Sequence, residues 1–320
     1  MRLAVLVLAL VMAAPAGAVS FPVPGKPLRI VLGFAAGGGT DIMARQLAPR
    51  LSEVLGVPVV IENRPGASTA LGAVEVARSA PDGHTVLFTF NGTFTQNPHT
   101  IAALPYDAQR DFTPISLAAR GPLVLVAHPS LPVRDVRELV AYGRANPGTL
   151  NYASFGIGTS SHLFGDLLAR QSGVPLLHVP YKGTGDAAND LLAGRVQLMF
   201  DSATSALPQV KAGRLRALAV VAERRSTFLP DVPTFAEQGI AGIDLTGWLG
   251  FWGPAGLPPD VVAALNAAIA KVLAMPDLRD LFAQGAYEAS PSTPAELDAL
   301  VRDVSERWAR IVQDLGVKPQ

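Results

Sequence analysis

The chain contains no cysteine. Disulfides, thiolate catalysis, cysteine-ligated metal sites and a lipoprotein anchor are therefore excluded. Charge is also scarce: only 16% of the 320 residues are charged, 26 of each sign, for a formal net charge of zero. A globular chain usually carries about a quarter. With no basic field to attract nucleic acid or anionic lipid, any bound anion must be held by local geometry. The five histidines show no metal-binding spacing such as H-E-x-x-H, and no G-x-x-x-x-G-K-[ST] run is present to cradle a nucleotide phosphate. Neither a metal nor a cofactor is expected. Beyond the N-terminus, no apolar stretch is long enough to span a bilayer.

The composition instead describes a compact chain, 49% apolar and long enough for two domains. Its start has the layout of a secretory signal peptide: cationic Met1-Arg2, an apolar run from Leu3 to Ala14, and small residues Ala16-Gly17-Ala18. The expected location is the periplasm, after cleavage of residues 1–18 near Ala18.

From residue 28 the pattern alternates. Strand-like runs at Leu28–Leu32, Pro58–Ile61 and Thr85–Phe90 are separated by helical patterns at Ile42–Leu55 and Ala70–Arg78. This order implies a parallel sheet with helices on both faces. Residues 98–120 carry little periodicity and read as surface chain. The rhythm restarts with strands at Leu123–Ala127, Leu150–Ala153, Leu176–Val179, Val196–Phe200 and Leu215–Val221, with helices between. An extended segment at Ile243–Trp252 and helices ending with Pro294–Leu315 follow. The fold class is α/β. Two lobes are expected, 19–121 with 246–320 and 122–245, joined by two crossing strands, with the C-terminal helices covering one lobe. Ligand would bind in the cleft between them.

Two glycine-rich loops stand out. Phe34-Ala35-Ala36-Gly37-Gly38-Gly39-Thr40-Asp41 connects the first strand to the first helix; Ser154-Phe155-Gly156-Ile157-Gly158-Thr159-Ser160-Ser161-His162 repeats the arrangement. A helix start leaves backbone N–H groups bare and carries the positive end of the dipole, which suits an anion. A hydrogen bond to a charged group contributes about 1.5–3 kcal/mol, whereas a micromolar ligand needs about 8 kcal/mol net. Four or more such bonds are required, and two loops can supply them. A dinucleotide fingerprint fits poorly, because Ile42 occupies the third glycine position and Asp41 would lie beside the phosphates. A nucleophile elbow lacks its final glycine after Ser160-Ser161-His162.

Further candidates lie on the same edge. Asn91 and Thr93 follow the third strand, where open α/β sheets bind ligands. Tyr181 follows a strand end, and Asp201 ends a buried strand, where it could meet a ligand hydroxyl or ammonium or cap the following helix. Trp248 and Trp252 read as core or hinge.

In order along the chain, several motifs resemble the Bug, or TctC-type, extracytoplasmic solute receptors of tripartite tricarboxylate transporters. They are Phe34–Arg45, Glu62–Ala67, Pro81–Thr85, Tyr152–His162, Val179–Gly183, Leu229–Thr234 and Trp248–Pro254. The resemblance covers essentially the full length after the signal peptide. It implies a type II periplasmic-binding-protein fold that closes on a small carboxylate: a dicarboxylate, tricarboxylate, aromatic acid or amino acid. It further implies delivery to membrane permease subunits, a monomer, and no catalytic residues. By position it assigns Gly37, Gly38, Gly39, Thr40 and Asp41 to the ligand in the first loop, beside Phe34, and Ser154, Gly158, Thr159, Ser160 and His162 in the second. Two departures occur. Ala36 stands where the family usually has proline, and Ser68-Thr69 replaces glycines in a segment expected to lie away from the site. The alternatives are an exported α/β enzyme using Ser160 and His162, a ligand sensor for a signalling system, and a regulator's effector domain, which the signal peptide and the missing helix-turn-helix disfavour.

Overall fold

The computed structural model describes residues 21–181 and 183–319; the expected signal segment lies outside them. Apolar runs bounded by Gly, Pro and Asn fold as strands, and segments with 3.6-residue apolar spacing fold as helices. The elements are β1 (Leu28–Leu32), α1 (Gly39–Leu55), β2 (Val59–Asn63), α2 (Ala70–Ala77), β3 (Thr85–Phe90), α3 (Gly92–Thr95), α4 (Asn97–Thr100) and β4 (Phe112–Gly121). Next come β5 (Leu123–Ala127), α5 (Val136–Ala145), β6 (Asn151–Ser154), α6 (Ser160–Ser172), β7 (Leu177–Pro180), α7 (Thr184–Leu192), β8 (Leu198–Ser202), α8 (Ala203–Lys211) and β9 (Arg216–Val220). The chain ends with β10 (Gly247–Pro254), α9 (Pro259–Leu273), α10 (Pro276–Gln284), β11 (Glu288–Ala289) and α11 (Pro294–Leu315).

Two sheets result. The first runs β11-β4-β10-β3-β1-β2 and the second β7-β6-β8-β5-β9. In the first, β1 lies parallel between β2 and β3, and antiparallel β10 follows β3. In the second, β6 lies parallel between β7 and β8, and antiparallel β5 follows β8. The same short-range pattern is therefore built twice, with β1 and β6 in matching places. Each leads into a glycine-rich loop and a helix, so both loops leave the C-terminal edge of parallel strands, where such sheets bind ligands.

Helices cover both faces of each sheet. Leu47, Phe88, Phe251 and Ile269 bury one face of the first; Val31, Phe94, Trp248 and Trp252 bury the other. In the second, Tyr152, Phe164 and Phe200 oppose Val126, Met199 and Leu207 across the sheet. Full burial of each such side chain contributes about 1.5–3 kcal/mol. The chain passes between the sheets at Pro122, between β4 and β5, and again just before β10, where Leu245 is buried with the second sheet and Gly247 pairs with Gly121 in the first.

Two expectations change. Residues 112–121 are a central strand, not surface chain. Buried on both faces, β4 lacks the alternation that marks a half-exposed strand, and Pro114 is accommodated at a register shift against Trp252. The helical tail is also divided: α9 packs on the first sheet, while α11 crosses both cores. Leu297 and Val301 pack with Trp248 and Trp252, and Val304, Trp308 and Val312 pack with Phe164.

Candidate functional site

The two loops share one backbone plan. Gly37 (φ +83°) and Gly158 (φ +77°) take the left-handed conformation, which glycine enters without a Cβ penalty. Each is followed by an extended N-cap residue, Gly38 or Thr159, without a side-chain cap. The backbone N–H groups of residues 39–41 and 160–162 lie in the first turns of α1 and α6, beyond the reach of intrahelical acceptors. Gly37, Gly38 and Gly39 are exposed, and a Cβ at Gly38 would come no nearer than 3.6 Å to other atoms. That open space suits the close approach of a ligand.

The residue four positions after each left-handed glycine ties the loop down. Gly37 N–H donates to Asp41 Oδ2 at 2.9 Å, and Gly158 N–H donates to His162 Nδ1 at 3.1 Å. Each tie is backed one helical turn on. Arg45 Nε donates to Asp41 Oδ2 at 2.9 Å, and His162 Nε2 lies 3.1 Å from Asp166 Oδ2. Asn63 Nδ2 bridges Asp41 Oδ1 and the Phe34 carbonyl, each at 3.0 Å, holding Phe34 at the loop entrance. Burial pushes the Asp41 carboxyl up, but donation from Arg45, Gly37 and Asn63 outweighs it and holds the group below its ordinary range. Asp166 is likewise raised by burial and lowered further by His162 and Tyr152, for a net depression.

Asp41 and His162 are thus placed to shape their loops, with their polar atoms turned to partners inside the protein. His162 has both ring nitrogens engaged, so it offers Ser160 no free base. Behind the second loop, Ser154 Oγ meets His178 Nε2 at 2.6 Å and donates to the Gly156 carbonyl at 3.2 Å. The His178 ring stacks on His162, centroids 4.1 Å apart. Burial and the neighbouring His162 push His178 down to about 4. Thr159 Oγ1 donates to the Gly156 carbonyl at 2.7 Å, and Ser161 Oγ to the Phe200 carbonyl at 2.8 Å. Thr40 and Ser160 stand in the first turns of their helices.

The loops are brought together by the first sheet's short helices. A Cβ at Gly158 would lie 2.9 Å from Thr100 Cβ at the end of α4, so the second loop rests on that residue. Asn91 and Thr93 border the same edge. Thr93 Oγ1 pairs with Thr89 and Thr69 hydroxyls at 2.8 and 2.7 Å. Thr69 does not lie at the expected distance from the site: a Cβ at Gly33, next to Phe34, would come 2.5 Å from its Cβ. Ala67, Ser68 and Thr69 run consecutively at positive φ, a backbone that glycine enters without a Cβ penalty.

Tyr181 lies against the second loop, where a Cβ at Gly156 would come 3.4 Å from its carbonyl oxygen, and Asp201 stands near the end of β8. Tyr181 N–H donates to the Ser154 carbonyl at 3.0 Å, and its hydroxyl to Asp190 Oδ2 at 2.7 Å. Asp201, 1% exposed, accepts from Ser202 N–H at 2.7 Å and influences Tyr287 beside the Pro122 passage. Burial pushes it up to about 6. Of the supporting residues, Arg45 and Asn63 fall within sequence motifs without being assigned to the ligand, and Asp166, His178 and Thr100 lie outside the motifs. Asp41-x-x-x-Arg45 and His162-x-x-x-Asp166 have the spacing of helical pairs; the others become neighbours only through the fold. Among the described residues, no group of three or more His, Asp and Glu side chains could hold a metal ion.

The chain is similar in sequence and in structure to known proteins. A protein of Pseudomonas sp., encoded in a tcbD-tcbE intergenic region, is 40% identical over 90% of this chain and 86% of its own. The periplasmic binding protein BugD is similar in structure, with a TM-score of 0.85 and 36% identity over 93% of this chain and 100% of its own. MatC from Rhodopseudomonas palustris with bound malate has a TM-score of 0.83 and 34% identity over 91% and 100%. The model of the tripartite tricarboxylate transporter family receptor matches residues 43–317. The chain therefore belongs to that family.

Proposed function

We propose that this receptor captures a small organic carboxylate between the loop after β1 and the loop after β6, and delivers it to the membrane permease of a tripartite tricarboxylate transporter. The observation that carries this reading is the duplicated, uncapped helix start: two sets of first-turn N–H groups, each behind a left-handed glycine tied by the residue four places on. Backbone donors of this kind stabilise a carboxylate without a charged side chain. Residues 19–121 with 246–320 form one lobe and 122–245 the other; ligand closes them, with Pro122 and the segment before β10 as the hinge. The signal peptide is removed near Ala18, and the protein acts without catalysis.

The test is ligand-dependent closure. Mono-, di- and tricarboxylates and amino acids are screened by thermal shift and intrinsic fluorescence on wild type, Gly38→Val and Gly158→Val. At least one carboxylate raises Tm in wild type, and both variants lose it. Gly38→Val keeps the wild-type Tm without ligand, because its φ of −77° suits any residue and a Cβ has room. Gly158→Val also strains the loop and presses on Thr100, so its own Tm falls. Undiminished affinity in both variants would move the site elsewhere.

A further inference from the structure

The contacts behind the second loop fix where the His162 ring carries its proton. The Gly158 amide has only a proton to give, and it donates to Nδ1 at 3.1 Å, so Nδ1 carries none. The ring is then neutral, with its proton on Nε2, which lies 3.1 Å from Asp166 Oδ2. Burial pushes the Asp166 carboxyl up, yet donation from His162 and Tyr152 outweighs it, so the group is ionised and accepts. Asp166 Oδ1 takes the Tyr152 hydroxyl at 2.6 Å, and that hydroxyl also reaches the His162 carbonyl at 3.1 Å. The carboxylate is thus braced from β6 while it faces the ring from the next turn of α6. From β7, His178 stacks on the same ring and sets its own Nε2 2.6 Å from Ser154 Oγ. Burial and the neighbouring His162 push His178 down to about 4, so it adds no charge near neutrality. Among the described residues, Asp166, Tyr152 and His178 are the ionisable groups facing the ring from these three elements.

Asp166 serves the neutral and the protonated ring alike, since both present Nε2–H. Gly158 does not, because a proton on Nδ1 sets one N–H against another. The Nε2–H tautomer is therefore the one state of the ring that holds the loop. Gly158 directly precedes the N-cap residue Thr159, so its position aims the first-turn N–H groups of residues 160–162. It is also where the loop rests on Thr100. We propose that Asp166 is a positioning residue for the ligand: it fixes His162 as the Nε2–H tautomer, the bare Nδ1 pins Gly158, and the second loop loosens its carboxylate when Nδ1 gains a proton. This rests on the reading that the second loop holds a carboxylate, and it names the group that regulates that half of the site. The first loop lacks such a device. Its tie, Asp41, is a carboxylate that Arg45, Gly37 and Asn63 hold below its ordinary range despite burial.

Nitrogen NMR of the histidine rings in the ligand-free protein tests it, with His162 assigned by the signal lost in His162→Asn. At pH 8 the wild-type ring shows a bare Nδ1 and a protonated Nε2. In Asp166→Leu, which offers no acceptor, the Nδ1–H form appears and hydrogen exchange at the Gly158 amide rises about tenfold, the value of one lost hydrogen bond. Asp166→Asn restores the wild-type ring and exchange rate, because its carbonyl still accepts from Nε2–H while its amide faces the Tyr152 oxygen. A purely structural Asp166 would lower Tm in Asp166→Leu and leave the tautomer alone. Calorimetry with succinate, citrate and benzoate then reads the function. Below pH 8, the Gly158 amide resonance moves in step with protonation of the ring, and affinity for the acids that bind falls about tenfold. His162→Asn keeps an acceptor that takes no proton, so its amide stays still, and any fall it retains belongs to the acids themselves. A protonated Nδ1 in wild type at pH 8, or an unchanged ring and Gly158 amide in Asp166→Leu, would overturn the proposal. If none of the three acids binds wild type, the carboxylate reading of the loops fails, and the ring and amide signals still decide the role of Asp166.

Discussion

The two loops have one backbone and opposite chemistry. In the first, a carboxylate, Asp41, receives the glycine N–H and is backed by a cation, Arg45. In the second, an imidazole, His162, receives it and is backed by a carboxylate, Asp166. The tie occupies the same place, four residues after a left-handed glycine, so the geometry asks only for an acceptor there. Its surroundings decide which acceptor is used. Asp41 meets three donors from the loop, Arg45 and Asn63, whereas His162 lies in a stack of buried rings against His178, itself beside Tyr152. The difference teaches that one loop backbone can be tied down by two different side-chain solutions.

Breaking the ties should show the largest effect. Asp41→Ala removes the side-chain acceptor of Gly37 N–H and one acceptor each of Asn63 and Arg45, and is expected to cost about 2–4 kcal/mol of stability, read by chemical denaturation. His162→Ala should cost about 1–3 kcal/mol, because its tie is to one neutral backbone N–H and Asp166 keeps the Tyr152 hydroxyl at 2.6 Å. Ligand affinity falls in both, measured by calorimetry. A His162→Ala cost equal to or above that of Asp41→Ala would show that the imidazole, not the carboxylate, is the stronger anchor.

The next effect is pH dependence, carried by two groups of the second sheet, His178 on β7 and Asp201 on β8. His178 is held down to about 4 in the folded protein, against about 6.5 in the unfolded chain. Its contribution is complete above pH 6.5 and is lost as pH falls toward 4, since the unfolded chain then binds a proton that the folded ring refuses. Asp201 runs the other way: raised to about 6, it contributes fully below about pH 3.9 and loses that contribution as pH rises through 6. Chemical denaturation should therefore show His178→Phe flattening the loss of stability between pH 7 and 5 by about 1 kcal/mol, after allowance for screening at a half-buried ring. Asp201→Asn should raise stability by about 1–2 kcal/mol at pH 8 and change little at pH 4. An unchanged profile in either variant would remove that group from the comparison.

The smallest effect is expected behind the first loop. Thr69→Gly relieves a φ of +77° but loses the hydroxyl bond to Thr93. The two contributions are each of order 1 kcal/mol and oppose one another, so Tm should move by only a few degrees. A large fall would show that the Thr69–Thr93–Thr89 chain outweighs the strain.

Much of the architecture is legible in the order of residues alone. The strands at 28–32, 85–90 and 123–127 and the final helix from Pro294 to Leu315 have the boundaries that their local patterns predict. Punctuation by glycine and proline and dense apolar runs make such boundaries local. β4 is not legible in this way, because a central strand buried on both faces has no alternation and Pro114 argues against it until the register shift is seen. α6 begins at Ser160, three residues before its apolar spacing does, because its first turn is built from the polar residues Ser160, Ser161 and His162.

By itself, the sequence determined two glycine loops, each joining a strand to a helix, since φ/ψ freedom and helix-start chemistry are properties of neighbouring residues. It also determined the low charge that leaves backbone donors as the means of holding an anion, and an order of motifs specific enough to mark the family. Only the tertiary structure decided that Asn63 would hold Asp41, that His178 would stack on His162, and that Gly158 would rest on Thr100. Each of these joins residues from different strands or helices, and such pairs are set by how the elements pack, which no local pattern encodes.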